Sequence, residues 1–359
     1  RIMLGLEKVI KEKRPRIVVA QGDTNTVLAA AITSVKTLTP FAHVEAGLRS
    51  WSMVMPEEVN RRVADAVASL HFAPTEWAAL NLLFEGISSK TIHVTGNTIV
   101  DVLMQFIDRV KKLGDAVLAE HKLEAGNYFL VTLHRAENTD NPERLKNILD
   151  ALEDLSQHYP VVFPLHPRTR NAMARLGLLE RLRQERLMRL IEPLGYFEFL
   201  ALLSNCRTVL TDSGGVQEEA FTLKIPTVTL RYNTERPETT LYGVNVLAGA
   251  EKDRIVRLAL MQAERAEEIR SLSFKNPLGD GQAGRRIAEV LKRAVDEGLT
   301  VEEPDLREAP MIEYRLLDAK SNVGKSLFDL LVGFDGEGKP TLSRETALRL
   351  LARVRGKPQ

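Results

Sequence analysis

The chain has 359 residues, with 49 Lys and Arg against 48 Asp and Glu, a net charge of +1. That balance gives no basic footprint for nucleic acid, and no apolar run reaches the roughly 18 residues of a membrane helix. At 44% hydrophobic residues the chain can bury cores for two domains of ordinary size. One cysteine, Cys206, excludes an intramolecular disulfide and a cysteine-based zinc site, and its apolar context predicts a buried structural thiol. We expect a soluble, cytoplasmic protein with no membrane partner.

The chain opens at Arg1 with an amphipathic helix, Ile2 to Glu12, where a strand is expected, and we read it as a fragment lacking that strand. Strand-like runs then alternate with helices. Arg16 to Ala20, Phe41 to Val44, Leu70 to Ala73 and Thr91 to Val94 read as strands, with helices over Val27 to Leu38 and Glu57 to Ala68. A charged helix, Asp101 to Glu120, closes this alternation. The second begins at Tyr128 to Thr132 and continues through Val161 to Leu165, Met188 to Ile191, Thr208 to Thr211 and Pro226 to Leu230. Helices are predicted over Glu143 to His158, Arg168 to Leu176, Phe197 to Leu203, Val216 to Leu223, Arg254 to Arg270 and Arg285 to Gly298. Short apolar strands between helices imply βαβ units and parallel sheets. We therefore expect an α/β protein with a first Rossmann-like domain over 1–110 and a second over 111–275. A returning helix follows over 276–298, and then an appendage over 299–359. In the appendage Ser343 to Arg355 has a helical pattern, and Asn322 to Ser326 ends like a P-loop but has Ala319 where the first Gly belongs.

Open α/β sheets bind ligands beyond the carboxyl ends of their strands. The polar residues there are Asp23 in QGDTNT, Glu45 in HVEAGLRS, Glu57 and Glu58 in MPEEVNRR, and His134, Arg135 and Glu137 in LHRAEN. His166, Arg168 and Arg170 follow in LHPRTR, then Ser213 and Glu219 in TDSGGVQEEAF, and Arg236 in RYNTERPE. Asp23 also suits an N-cap, and Glu57 after Pro56 suits a first helical turn. His43 reads as a satisfied core histidine. Arg168 and Arg170 at a helix start oppose the dipole, which hints at an anion.

TDSGG is not a nucleophile elbow, because Thr211 stands where Gly-x-Ser-x-Gly needs its first Gly. Ser213, Gly214 and Gly215 instead suit a turn whose backbone amides receive a phosphate. Glu219 suits sugar hydroxyls, as in the ribose contact of dinucleotide folds. Glu218 reads as a surface acid of the first helical turn. Together these suggest a nucleotide diphosphate-sugar as ligand.

QGDTNT, HVEAGLRS, PEEVNRR, FAPTE, TGNTIVD, VTLHRAEN, LHPRTR, LTDSGGVQEEA, TERPE and NPLGDGQAGRRI occur in the order found in the non-hydrolysing UDP-N-acetylglucosamine 2-epimerases. The chain resembles that family from about residue 1 to 297. The resemblance implies a GT-B-like fold of two Rossmann-like domains around a cleft. It implies interconversion of UDP-N-acetylglucosamine (UDP-GlcNAc) and UDP-N-acetylmannosamine (UDP-ManNAc) by elimination of UDP and its re-addition to a 2-acetamidoglucal. By motif match Asp23, Glu45 and Glu57 are the acid/base candidates, and His134 lies by the diphosphate and reacting sugar. Arg135, Ser213, Gly214, Gly215 and Glu219 match the UDP-binding residues, Arg236 an arginine facing the phosphates, and Phe199 an aromatic near the uracil. No cofactor and no metal are implied, and a homodimer is.

The sequence departs from the family in lacking an opening strand with a Gly-Thr-Arg-Pro-Glu motif. It also carries Ala66 where a histidine is common and Val54 where a polar residue is usual. Three alternatives stay open: a 2-epimerase of another UDP-sugar such as a 2,3-diacetamido uronic acid, a GT-B glycosyltransferase, and a nucleotide-sugar-binding module without activity.

Overall fold

The computed structural model describes residues 1–301 together with two short strands, Gly333–Phe334 and Pro340–Thr341. The expected helix Ser343 to Arg355 and the P-loop-like Asn322 to Ser326 lie outside the described residues. The chain forms two compact units. The first comprises Arg1–Gly47, Met53–Val94 and the segment from Ala288, and the second Leu48–Ser52 and Thr95–Ile287.

In the first unit the order is α1 (Ile2–Lys13), β1 (Val18–Gln21), α2 (Asn25–Lys36), β2 (Phe41–Val44), α3 (Pro56–Val67), β3 (Leu70–Ala73), α4 (Glu76–Phe84) and β4 (Ile92–Val94). The strands form one parallel sheet in the order β1-β2-β3-β4. Every residue of β2 and β3 is buried, as strands covered by helices on both faces must be. Pro56 at the first position of α3, with Glu57 and Glu58 beside the positive end of the dipole, starts that helix. The sequence reading contains no α4. Its residues are apolar around the whole circumference, so no 3.6-residue period marks it. Thr75 starts it by accepting a hydrogen bond from Ala78 N at 3.1 Å.

The second unit runs α5 (Thr98–Glu120), β5 (Phe129–Thr132), α6 (Ala136–Thr139), α7 (Pro142–Leu155), β6 (Val161–Pro164), α8 (Pro167–Arg175), α9 (Leu178–Arg183), β7 (Met188–Ile191) and α10 (Tyr196–Asn205). It continues with β8 (Thr208–Thr211), α11 (Gly214–Thr222), β9 (Thr227–Thr229), α12 (Pro237–Leu241), β10 (Asn245–Leu247), α13 (Lys252–Glu264) and α14 (Ala266–Ser271). Helix α15 (Ala283–Asp296) begins in this unit and from Ala288 belongs to the first, as do the two strands of a separate antiparallel pair, β11 (Gly333–Phe334) and β12 (Pro340–Thr341). The sheet is parallel throughout, in the order β10-β9-β8-β5-β6-β7.

Alternate residues of β5, and Tyr128 just before it, feed opposite cores: Phe129 and Val131 pack with Leu145, Leu149 and Phe163, whereas Tyr128 and Leu130 pack with Leu200, Leu203 and Val209. Cys206 is fully buried in the second of these cores, and burial pushes its thiol up to about 12. The predicted helix Arg254 to Arg270 is two helices. Ala263 packs into the first core and Ile269 into a separate cluster with Val100, Phe221 and Val244, so the chain changes direction at Arg265. Helix α11 starts two residues earlier than expected, with Gly214 and Gly215 inside its first turn and Ser213 as N-cap.

Candidate functional site

In the second unit the chain enters the sheet at β5, steps outward through β6 and β7, then returns to β8 beside β5 and steps outward the other way. The topological switch point therefore lies between β5 and β8, where ligands of such sheets bind. The two strand ends deliver His134 and Arg135 from β5, and Asp212 and Ser213 from β8.

Asp212 ties these ends together. It is fully buried, and its carboxylate accepts from His134 N at 3.1 Å, Arg135 N at 2.8 Å and Asn138 Nδ2 at 3.2 Å. The sequence reading missed it. The available signal is an acid directly after a buried strand, where an unpaired carboxylate is costly. The ring of His134 is turned towards Asp212, with Nδ1 3.5 Å from Oδ1, and stacks at a tilt on His166 with centroids 5.4 Å apart. Burial lowers the pKa of His134 and the cations Arg135 and Arg168 lower it further, against the pull of Asp212. His134 is thus a neutral hydrogen-bonding group at pH 7. His166 caps α8, accepting from Arg168 N at 3.2 Å. Arg168 and Arg170 have carboxylate neighbours, Asp140 at 3.2 Å and Glu192 at 2.6 Å, so their place at a helix start requires no bound anion.

Helix α11 carries the turn residues. Ser213 makes no capping bond with its side chain, and the first-turn amides, from Gly214 on, point out of the helix start. A Cβ on Gly214 would stand 2.6 Å from Arg236 Nη1, whereas one on Gly215 would make an ordinary 3.4 Å contact with Ile99 Cδ1. The guanidinium beneath Gly214 is anchored: Arg236 Nε donates to Glu218 Oε1 at 2.8 Å and Nη1 to Glu235 Oε2 at 3.2 Å. Glu235 also takes both terminal nitrogens of Arg231, at 3.0 and 3.1 Å, and Arg231 Nε reaches Glu137 at 2.8 Å. Glu218 also accepts from Asn97 Nδ2 at 2.9 Å. Glu218 is therefore a buried counter-charge, which corrects its reading as a surface acid.

Glu219 is buried as well. Burial raises its pKa to about 7, against the hydrogen bond from the Tyr196 hydroxyl. Tyr196, at the start of α10, is a second residue the sequence reading missed. Phe199, one turn along α10, is half-buried against the second core.

In the first unit Asp23 and Glu45 follow the neighbouring strands β1 and β2. Gln21 Nε2 donates to Glu45 Oε1 at 2.6 Å, and Glu45 itself holds φ 69°, in the left-handed region. Arg61, buried in α3, lies 3.5 Å from Asp23 Oδ2 and 3.4 Å from Glu58 Oε2, and donates to the Glu57 carbonyl at 3.3 Å. Asn60 Nδ2 donates to the Asp23 carbonyl at 2.8 Å. Arg61 thus faces the Asp23 carboxylate and the Glu57 main chain, and Glu45 stands at the end of the adjacent strand. His43 is fully buried with both ring nitrogens partnered, as a core histidine should be.

Two all-parallel α/β units, one with a phosphate-type turn at its switch point, define the GT-B-like class. A sequence family described as UDP-N-acetylglucosamine 2-epimerase matches residues 1–292, and the chain belongs to that family. It is 44% identical over 299 residues to the UDP-N-acetylglucosamine 2-epimerase of Methanocaldococcus jannaschii, covering 81% of this chain and 79% of that one. It is 42% identical to the UDP-2,3-diacetamido-2,3-dideoxy-D-glucuronate 2-epimerase of Pseudomonas aeruginosa, covering 82% and 79%. The crystal structure of the M. jannaschii enzyme in complex with UDP-GlcNAc and UDP matches with TM-score 0.74, covering 81% and 80%. The Neisseria meningitidis UDP-GlcNAc 2-epimerase bound to UDP-GlcNAc matches at 34% identity and the same TM-score, 0.74, with the same coverage.

Proposed function

We propose that this protein interconverts UDP-GlcNAc and UDP-ManNAc without hydrolysing them. The observation that carries the reading is that a single family match, residues 1–292, contains both the α11 turn and the three carboxylates of the first unit. In the forward step a carboxylate takes the C2 proton, the C1–O bond breaks, and its electron pair leaves with UDP as the C1=C2 bond of 2-acetamidoglucal forms. Return of UDP to C1 with protonation of the opposite face of C2 completes the inversion. Asp23, Glu45 and Glu57 serve as the acids and bases. Ser213, Gly214 and Gly215 receive the diphosphate through the start of α11, with Arg135 and His134 at the adjoining strand end and Arg236 beneath the turn. Glu219 holds the ribose hydroxyls, and Phe199 lies by the uracil.

We place the protein in the cytoplasm as a homodimer serving polysaccharide biosynthesis. Among the described residues no helix is long and apolar enough to cross a membrane. The test is product analysis: UDP-GlcNAc should yield UDP-ManNAc and no free sugar. Turnover of a UDP-2,3-diacetamido uronic acid in its place would transfer the assignment to that substrate, and the 42% identity to such an enzyme makes it the comparison to run.

A further inference from the structure

We propose that the buried His43–Asp65 pair is a positioning device for Glu45, locking the turn that aims this carboxylate. The proposal rests on the catalytic reading of Glu45 above. Glu45 has φ 69°, the left-handed region in which a Cβ crowds the following carbonyl oxygen. Such a residue persists only where its surroundings hold it.

The two carboxylate oxygens of Asp65 grip the chain on both sides of Glu45. Oδ1 meets His43 Nδ1 at 2.5 Å and Oδ2 accepts from Gly47 N at 3.0 Å. His43 Nε2 faces the Gly22 carbonyl at 2.8 Å, so the same ring also fixes the residue before Asp23. Gly47 has φ 82° and lies hard against α4: a Cβ there would stand 2.1 Å from the Ala78 carbonyl oxygen, and Asn81 Nδ2 donates to Gly47 O at 2.9 Å. The turn is therefore pinned from α3, from α4 and from the end of β1.

Both imidazole nitrogens of His43 face acceptors, a carbonyl and a carboxylate, and only the doubly protonated ring satisfies both. The charged groups around it are Asp65 from α3, Glu45 from the loop after β2, and His71 from β3, whose Nε2 meets the Asp65 carbonyl at 2.8 Å. Burial alone would lower the pKa of His43, but Asp65 outweighs it and the net direction is upward. A buried ion pair is a poor source of stability, since apolar residues of similar volume serve as well. Bridging the strand ends that carry Asp23 and Glu45 gives this one a purpose.

The test uses the full chain and two readouts. Nitrogen NMR of the His43 ring in the wild type should show both nitrogens protonated at pH 7.5, whatever the protein's activity. A ring with one proton overturns the proposal. Asp65→Asn should lower kcat for epimerisation about 100-fold, the effect of a misplacement near 1 Å, with KM for UDP-GlcNAc within about threefold. Thr33→Val, a control at a buried residue of α2 away from this turn, should leave kcat unchanged. A folded Asp65→Asn protein with wild-type kcat would contradict the proposal. If Asp65→Asn does not fold, the NMR result decides. A wild type that binds UDP without turnover would remove the proposed activity, and the NMR result would again decide the fate of the clamp.

Discussion

Gly214 sits directly on the guanidinium of Arg236, with only 2.6 Å between the place of a Cβ and Nη1. The arginine cannot swing away without breaking its bonds to Glu218 and Glu235, both of which are buried. Gly214→Ala should therefore weaken UDP binding by at least about tenfold, or about 1.4 kcal/mol. Gly215→Ala, which meets only Ile99 at 3.4 Å, should stay within about threefold of wild type. Calorimetric titration with UDP checks the pair. Equal losses would mean that both glycines serve the ligand and that the arginine beneath is incidental.

Glu219 binds a proton in the folded protein up to about pH 7, whereas an exposed Glu loses it near 4.5. The folded state thus holds more protons than the unfolded state between these values, and stability falls as pH rises through that window. The rise corresponds to about 3 kcal/mol. Glu219→Gln should be more stable than wild type at pH 8 by about that amount and equal to it at pH 4. It should also bind UDP more weakly, having lost the carboxylate proposed to hold the ribose. Unchanged stability at pH 8 would show that the carboxylate is better solvated than its burial indicates.

The alternating strands were legible because a strand buried on both faces must be a short apolar run, as in FAHV and LHFA. Helix α4 was not, since Trp77 and Phe84 are exposed while Ala78, Ala79 and Leu82 are buried, which leaves no polar face to mark a period. Strand β10 begins with a buried polar residue, Asn245, which breaks the apolar run that marks the other strands. The turn residues Ser213 to Glu219 stood out by composition. Their supports did not, because each depends on a partner remote in the chain: Glu218 on Asn97, Asp212 on His134 and Arg135, and Glu219 on Tyr196.

Asp212→Ala should destabilise the protein by at least about 3 kcal/mol. It leaves the buried amides of His134 and Arg135 and the side chain of Asn138 without their acceptor. Thermal unfolding at pH 7 measures this. A loss below about 1 kcal/mol would mean that other acceptors take over these donors.

Glu45→Gln keeps the size and the hydrogen bond with Gln21 but removes one of the three carboxylates proposed as acids and bases. It should abolish C2 exchange while UDP binding, read by calorimetry, stays within about threefold of wild type. Loss of UDP binding instead would move Glu45 from catalysis to ligand binding.

The most direct test of the proposed reaction is turnover of UDP-GlcNAc in deuterated water followed by NMR at C2. Elimination and re-addition require the C2 proton to leave and a solvent deuteron to return, so UDP-ManNAc should appear with deuterium at C2. UDP-ManNAc that retains protium at C2, or UDP binding with no exchange at all, would contradict the account.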